Sequence, residues 1–393
     1  MDTLIVASVG PLDITAREFL LSYEYGPAFY KRMKEPQRKF LDFMINEKLL
    51  ALEGFDEGVE KEERATEMLS QIEGDLITEQ LFREDVMSRV NISEEELRKA
   101  IEREKVNLKV RWLYTDSFRE MQRQSQDLKN GIPFDSLFVR QLHDSIKIDD
   151  CSLEDSRFRI ELKNPDLSKI LDTLSYGTVS PPIQTPDGWY FVKIEDSWVN
   201  AITTESEAFA LRKRVKDALF KYKMDVLSDQ YVREMMSDAD PVIVRNTFDL
   251  LQNYLAQKYL PPEKLADWNL TGQVLEEFGP INVGEIDAFG EKQLVRIRKG
   301  EINLRDFLIW YRTRENYIKL SYASRKSFFI SLQQVVWRMV RDHLLVERAE
   351  QRGFQDREIV RKQKLWWKSK IAFSIAREEI GQSSPMTEDE LLH

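Results

Sequence analysis

The sequence predicts an α+β chain in which long helical lobes flank one small antiparallel sheet. Three observations carry that expectation. Apolar residues recur at three- and four-residue spacings over long stretches near both ends. Alternating, β-rich segments with a helix and a tight turn between them are confined to roughly residues 105–200. Charged residues make up 32% of the chain beside 42% hydrophobic, the balance of extensive solvated helix surface around globular cores.

At 393 residues the chain has room for about two to four domains. Its 58 Lys and Arg stand against 68 Asp and Glu, a net charge of −10, and this argues against a nucleic-acid binder, whose affinity comes mainly from cations on phosphates. A lone Cys151 cannot close a disulfide within the chain or build a thiolate metal site, and His143, His343 and His393 are too scattered for a histidine centre. No cofactor is expected. No apolar run approaches the ~18 residues of a membrane span. The opening Met1–Val9 stretch has no basic region before it and reads as a strand, not a signal peptide.

The elements follow in order. After that strand, Thr15 is placed to cap a helix through Tyr23, with Glu18 three residues on to reach back to the cap amide. Residues 36–54 set Phe40, Phe43, Met44, Leu49, Leu50 and Leu52 on one side of a helix ended by Gly54. A long helix over 61–89 carries Ala65, Met68, Leu69, Ile72 and Leu76, and Ser93 opens another with Glu96 at its third position. Residues 106–115 read as a strand, and 116–130 as a helix closed by Gly131. The middle around Asp149-Asp150-Cys151-Ser152 reads as irregular, Thr178–Ile183 as extended, Pro186-Asp187-Gly188 as a turn, and Trp189–Ile194 as a strand. Residues 205–237 return to helix, with Phe209, Val215, Leu219, Phe220, Met224, Leu227 and Tyr231 inward, and from Thr247 onward the chain is again mostly helical, broken at Pro261-Pro262 and Gly279-Pro280. The division expected is a helical lobe over 1–104, an α+β module over 105–200, a connecting helix over 201–238 and a second helical lobe over 239–393.

The two helical regions repeat. Ile14-Thr15-Ala16-Arg17-Glu18-Phe19-Leu20 with Tyr23 matches Ile302-Asn303-Leu304-Arg305-Asp306-Phe307-Leu308 with Tyr311, and Met44–Leu50 matches Met339–Leu345. Ile92–Leu97 matches Met386–Leu391 in the same order. The first copy leads into the α+β module while the second stops two residues after its last anchor, so the sequence is expected to be a piece of a longer protein with a second such module.

Leu174–Ile194 resembles the closing segment of parvulin-type peptidyl-prolyl isomerase domains, and Gly131-Ile132-Pro133-Phe134-Asp135-Ser136-Leu137 is similar to the step after that family's first helix. The preceding lobe resembles the N-terminal chaperone region of SurA/PrsA-type foldases. The resemblance implies a parvulin-like (FKBP-like) module between SurA-like helical lobes, a foldase acting on unfolded exported polypeptides, and a periplasmic location, the alternative being cytoplasmic. The family's two strand histidines are replaced by Trp112 and Tyr190, and its Gly-Gly-rich stretch is missing between Val139 and Asp166. The barrier to X-Pro isomerisation, about 18–20 kcal/mol, falls when a site binds the twisted amide in a desolvated pocket better than either planar form. Without the histidines the module is expected to keep an apolar grip through Trp112, Phe134, Trp189, Tyr190 and Phe191 and to lose most of its rate; no catalytic residue is assigned. A working isomerase and a docking subunit of an envelope assembly remain as alternatives.

Other candidates carry plainer readings. Aromatic residues on strands, Trp112 and Tyr190 included, are commonly core. Cys151 has acidic neighbours that oppose a thiolate, and His143 beside Asp144 reads as a solvated loop residue. Trp366-Trp367 among Lys362, Lys364, Lys368 and Lys370 reads as part of a helix packed on its own lobe through Leu365, Ile371 and Ile375.

Overall fold

The computed structural model describes residues 4–142, 146–268 and 283–383. The chain divides into two compact units, one of Val86–Gln230 and one assembled from Met1–Asp85 together with Tyr231–His393. Residues 86–104 therefore group with the α+β module, and the N- and C-terminal segments share a unit. The repeat anchor Met386–Leu391, Gly279-Pro280, His143 and His393 lie outside the described residues.

The chain opens with a hairpin where the sequence suggested a single strand: β1 (Ile5–Val9) pairs antiparallel with β2 (Leu12–Thr15) around Gly10, whose φ of 56° suits the tight turn. Thr15 caps α1 (Ala16–Tyr25) by accepting the Glu18 amide at 3.1 Å. The Glu18 carboxylate does not return to the cap amide as predicted. It accepts from Trp366 Nε1 at 2.9 Å and pairs with the buried Lys48 at 3.1 Å. The next helix, α2 (Pro36–Glu57), runs through Gly54, the residue expected to end it, and Gly58 at φ 81° is the terminator. Gly54 serves close approach instead: a Cβ there would sit 3.2 Å from the Ala372 carbonyl oxygen. Helix α3 (Glu63–Asp85) follows.

In the continuous unit, α4 (Glu94–Lys105) is capped by Ser93 and runs directly into β3 (Val106–Thr115). Helices α5 (Phe118–Lys129) and α6 (Phe134–Gln141) precede β4 (Ser152–Ser156), which lies in the stretch read as irregular. Helices α7 (Arg157–Lys163) and α8 (Pro165–Thr173) then lead to β5 (Ile183–Thr185) and β6 (Gly188–Val199). The sheet is antiparallel with order β4-β3-β6-β5. Helix α9 (Glu205–Ala239) packs Leu211, Val215 and Leu219 on Leu97, Ala100 and Phe158. Phe209, expected inward, is exposed: two positions before Leu211 it lies roughly 200° around the helix from that stripe.

The C-terminal part contributes β7 (Val242–Ile243), α10 (Arg245–Tyr259), α11 (Pro262–Trp268), β8 (Gln293–Ile297), β9 (Gly300–Asn303), α12 (Leu304–Arg312), α13 (Arg325–Gln351) and α14 (Glu358–Ser383). Its largest core joins Phe248, Leu251, Leu294, Phe307, Phe328 and Val336. Helix α14, with Trp366 and Trp367, packs on residues of the N-terminal segment: Ala372 meets Ala51 and Leu12, and Ile371 and Ile375 meet Val59 and Ala65. Leu365 is exposed. Its basic residues have acidic partners across that interface, Lys364 with Glu73 at 2.5 Å, Lys368 with Glu60 at 3.9 Å and Lys370 with Glu47. Lys364, Lys368 and Lys370 thus serve helix packing, while Lys362 pairs with Glu358 of its own helix at 2.6 Å. Among the described residues no helix is long and apolar enough to cross a membrane.

Candidate functional site

The central pair of the module's sheet, β3 and β6, is in register over ten positions, from Val106 opposite Val199 to Thr115 opposite Trp189. Because side chains alternate faces along a strand, the five aromatics expected in one groove are divided. Phe191 and Trp189 pack on the face covered by α5 and α6, with Leu113, Met121, Phe134 and Phe138. Tyr190 packs on the opposite face with Val110, Val192, Ile194 and the α7–α8 residues Ile160 and Leu171. Trp112 is half-buried and touches both clusters.

An open groove with a cavity volume of about 760 Å³ runs along the α5–α6 side. Ile132, Phe134, Val179, Pro181, Pro182 and Phe191 give it an apolar wall. Gly131 and Gly177, at φ 86° and 76°, turn the chain into its two sides. Phe134 and Phe191 are the two residues of the expected set that line it. Both are nearly fully buried, so their rings form the floor. Trp189 lies apart, against the exposed Phe118 at 5.8 Å.

The charges at the groove were missed by the sequence reading. Lys193 lies over the Phe134 ring at 5.4 Å and pairs with Glu195 at 2.9 Å and Asp135 at 3.6 Å. Burial works against its charge, but Glu195 and Asp135 outweigh burial and hold its pKa above the usual lysine value. Lys193 pairs opposite Arg111, itself over Phe138 at 5.0 Å and 3.3 Å from Glu195. The signal was available: two positions after Phe191, Lys193 shares its face.

On the other face, Tyr190 stands opposite Tyr114 with ring centroids 5.1 Å apart. Both hydroxyls reach Asp187 at 2.7 Å, Tyr114 donating to its carbonyl and Tyr190 to its carboxylate. Desolvation, then the Asp187 hydrogen bond, push the Tyr190 phenol far above its usual range, while Thr185 and Tyr190 hold Asp187 below the usual carboxylate range. Tyr190 is thus a fixed donor that stays protonated near neutrality. A phenol so placed cannot exchange a proton near pH 7 as an imidazole can. Cys151 is buried beside Phe138 and Phe191, and desolvation and Asp150 raise its pKa. It is no activated nucleophile. Among the described residues no acid, thiol and imidazole cluster could hold a metal ion.

No family model matches the chain and no curated protein matches it in sequence. Solved structures do match. Peptidylprolyl isomerase PrsA of Bacillus anthracis is 15% identical over 40% of this chain and 69% of its own, with a TM-score of 0.26. PrsA of Bacillus cereus is 17% identical over 58% and 91%, with a TM-score of 0.29. A SurA-like chaperone of Campylobacter jejuni is 14% identical over 60% and 98%, with a TM-score of 0.27. The proteins these comparisons return are thus peptidylprolyl isomerases named PrsA and a SurA-like chaperone.

Proposed function

We propose that the chain is a foldase-family chaperone that holds extended segments of unfolded, exported polypeptides outside the cytoplasm. Its α+β module binds peptide without appreciable prolyl isomerisation. The observation that carries this reading is the density of exposed apolar side chains within residues 4–49: Leu4, Ile5, Val6, Leu20, Leu21, Tyr25, Phe29, Met33 and Leu49. Exposed apolar residues scattered singly need no explanation, whereas this density over so few positions supports a binding surface. Burying one of them against a client returns about 1.5–3 kcal/mol, much of it offset by ordering the client. Contacts of that size give the weak, reversible hold that a chaperone requires. The groove floored by Phe134 and Phe191 supplies a second apolar contact, and the fixed Tyr190 phenol at a family histidine position argues against turnover.

The test is suppression of aggregation when a chemically unfolded model protein is diluted into buffer with the chain. Near-stoichiometric chain is expected to suppress light scattering. A variant carrying Leu20→Glu, Leu21→Glu and Phe29→Glu, all at exposed positions, should lose most of the effect while keeping its circular dichroism. No suppression by the wild type, or undiminished suppression by the variant, would overturn the proposal. A proline-tetrapeptide assay should give the uncatalysed rate.

A further inference from the structure

The repeated hairpin is built twice in the discontinuous unit with the same register, and among the described residues one copy has an occupant that the other lacks. In the first copy Ile5 pairs with Thr15, Ala7 with Ile14, Ser8 with Asp13 and Val9 with Leu12, with a bulge between Ile5 and Ala7. In the second, Gln293 pairs with Asn303, Val295 with Ile302, Arg296 with Glu301 and Ile297 with Gly300, with a bulge between Gln293 and Val295. Every position corresponds at one spacing. Even the hydrogen bond closing the hairpin is shared: the Ala16 amide donates to the Leu4 carbonyl at 2.7 Å, and the Leu304 amide to the Lys292 carbonyl at 2.9 Å.

The second hairpin carries a third strand. β7 lies antiparallel along β8, Val242 opposite Arg296 and Ile243 opposite Val295. The Val244 amide donates to the Leu294 carbonyl at 2.9 Å, and the Arg298 amide to the Ala239 carbonyl at 2.8 Å. Among the described residues nothing pairs with the same edge of β1. Burial follows that difference. Leu294 is fully buried, whereas Val6, its counterpart, is 41% exposed; Leu308 is 3% exposed and its counterpart Leu20 51%. An open, apolar strand edge is a template for pairing with another chain.

We infer that β1 is a strand-addition site, which takes an extended, β-branched apolar segment of a client polypeptide antiparallel along Ala7 and Ser8, as Val242-Ile243-Val244 lies along Val295 and Arg296. The inference rests on the polypeptide-binding reading above and specifies how one segment is held. Backbone hydrogen bonds give sequence-tolerant affinity, and Leu4, Ile5 and Val6 select apolar side chains. The client segment would donate an amide to the Val6 carbonyl and accept from the Gly10 amide, the counterparts of Leu294 and Arg298.

The probe is a synthetic peptide with the chain's own sequence from Ala239 to Asn246, added to the isotopically labelled full chain, with amide hydrogen exchange read at Ser8 and Gly10, the outward-facing amides of the edge. Binding is expected to slow exchange there by about tenfold or more. A peptide with proline in place of Val244 lacks that amide donor and should give no protection. Val6→Lys, at an exposed edge position, should weaken binding by about tenfold without loss of fold. Protection at Ser8 and Gly10, whose amides face away from β2, in the chain alone would overturn the inference, because the edge would then be covered by its own segment or, where the mass doubles with concentration, by a second copy. Peptide binding that protects other residues would overturn it too. Suppressed aggregation with no β1 protection removes this inference and leaves the proposed function standing; loss of both removes the two together.

Discussion

Gly54 offers a sharp check on how the two ends of the chain meet. It lies in the interior of α2, where glycine costs about 1 kcal/mol relative to alanine, yet an added Cβ would stand 3.2 Å from the Ala372 carbonyl oxygen and 3.5 Å from its Cβ. The nearer atom is backbone of α14, which cannot swing aside as a side-chain tip would. Gly54→Ala therefore combines a propensity gain of about 1 kcal/mol with a shift of a few tenths of an ångström, and the two nearly cancel. Gly54→Val adds two methyl groups to the same gap, and overpacking of that kind costs about 1–3 kcal/mol. For a unit of this size each kcal/mol moves the melting temperature by roughly 2–4 °C. Thermal unfolding followed by circular dichroism should place Gly54→Ala within about 3 °C of wild type and Gly54→Val some 2–10 °C below it. Gly381→Ala, with nothing within 4 Å, is the control for propensity alone. A valine variant as stable as the alanine variant would refute the close-approach argument and return Gly54 to the role of an ordinary helix glycine.

Cys151 should react with a neutral thiol reagent at pH 8 many times more slowly in the folded chain than after denaturation, because burial and Asp150 both hold it as a thiol; comparable rates would contradict the burial. Burial raises the Asp249 pKa more than Arg245 and Arg325 lower it, so its folded value lies above its unfolded one. Such a group stabilises the fold when protonated and loses that contribution as pH rises through the folded value. Asp249→Asn should accordingly be slightly more stable than wild type at pH 7, with the gain vanishing as pH falls below the carboxylate range; a gain that grows on acidification would reverse the sign.

Local patterns in the sequence were legible where one segment sets its own structure. Ser93 caps α4, Gly131 follows α5 at positive φ, and the alternation of 106–115 gave β3 its bounds. Features set by distant partners were not. Gly54 reads as a stop until Ala372 is beside it, and the Lys364–Lys370 run, read as part of a packed helix, shows its ionic partners only once Glu73, Glu60 and Glu47 are placed against it. β4 was missed because Ser152–Ser156 is polar and short, and only its pairing with Asn107–Arg111 makes it a strand. The site was read residue by residue along β6, so Tyr190 was grouped with Trp189 and Phe191 although successive strand positions face apart.

The two copies of the hairpin and helix show how one local code can take two roles. In the second copy the cap is complete: Asn303 accepts the Asp306 amide at 2.9 Å and Asp306 accepts the Asn303 amide at 3.0 Å. The flanking strand is in place and Phe307, Leu308 and Tyr311 are buried. In the first copy the equivalent carboxylate, Glu18, is drawn away to Lys48 and Trp366, which fastens α1 to α2 and α14 instead of to its own cap. A helix held by neighbours on one side needs no cover on the other. That tie lets Leu20, Leu21 and, among the described residues, the β1 edge stay open without unfolding the lobe.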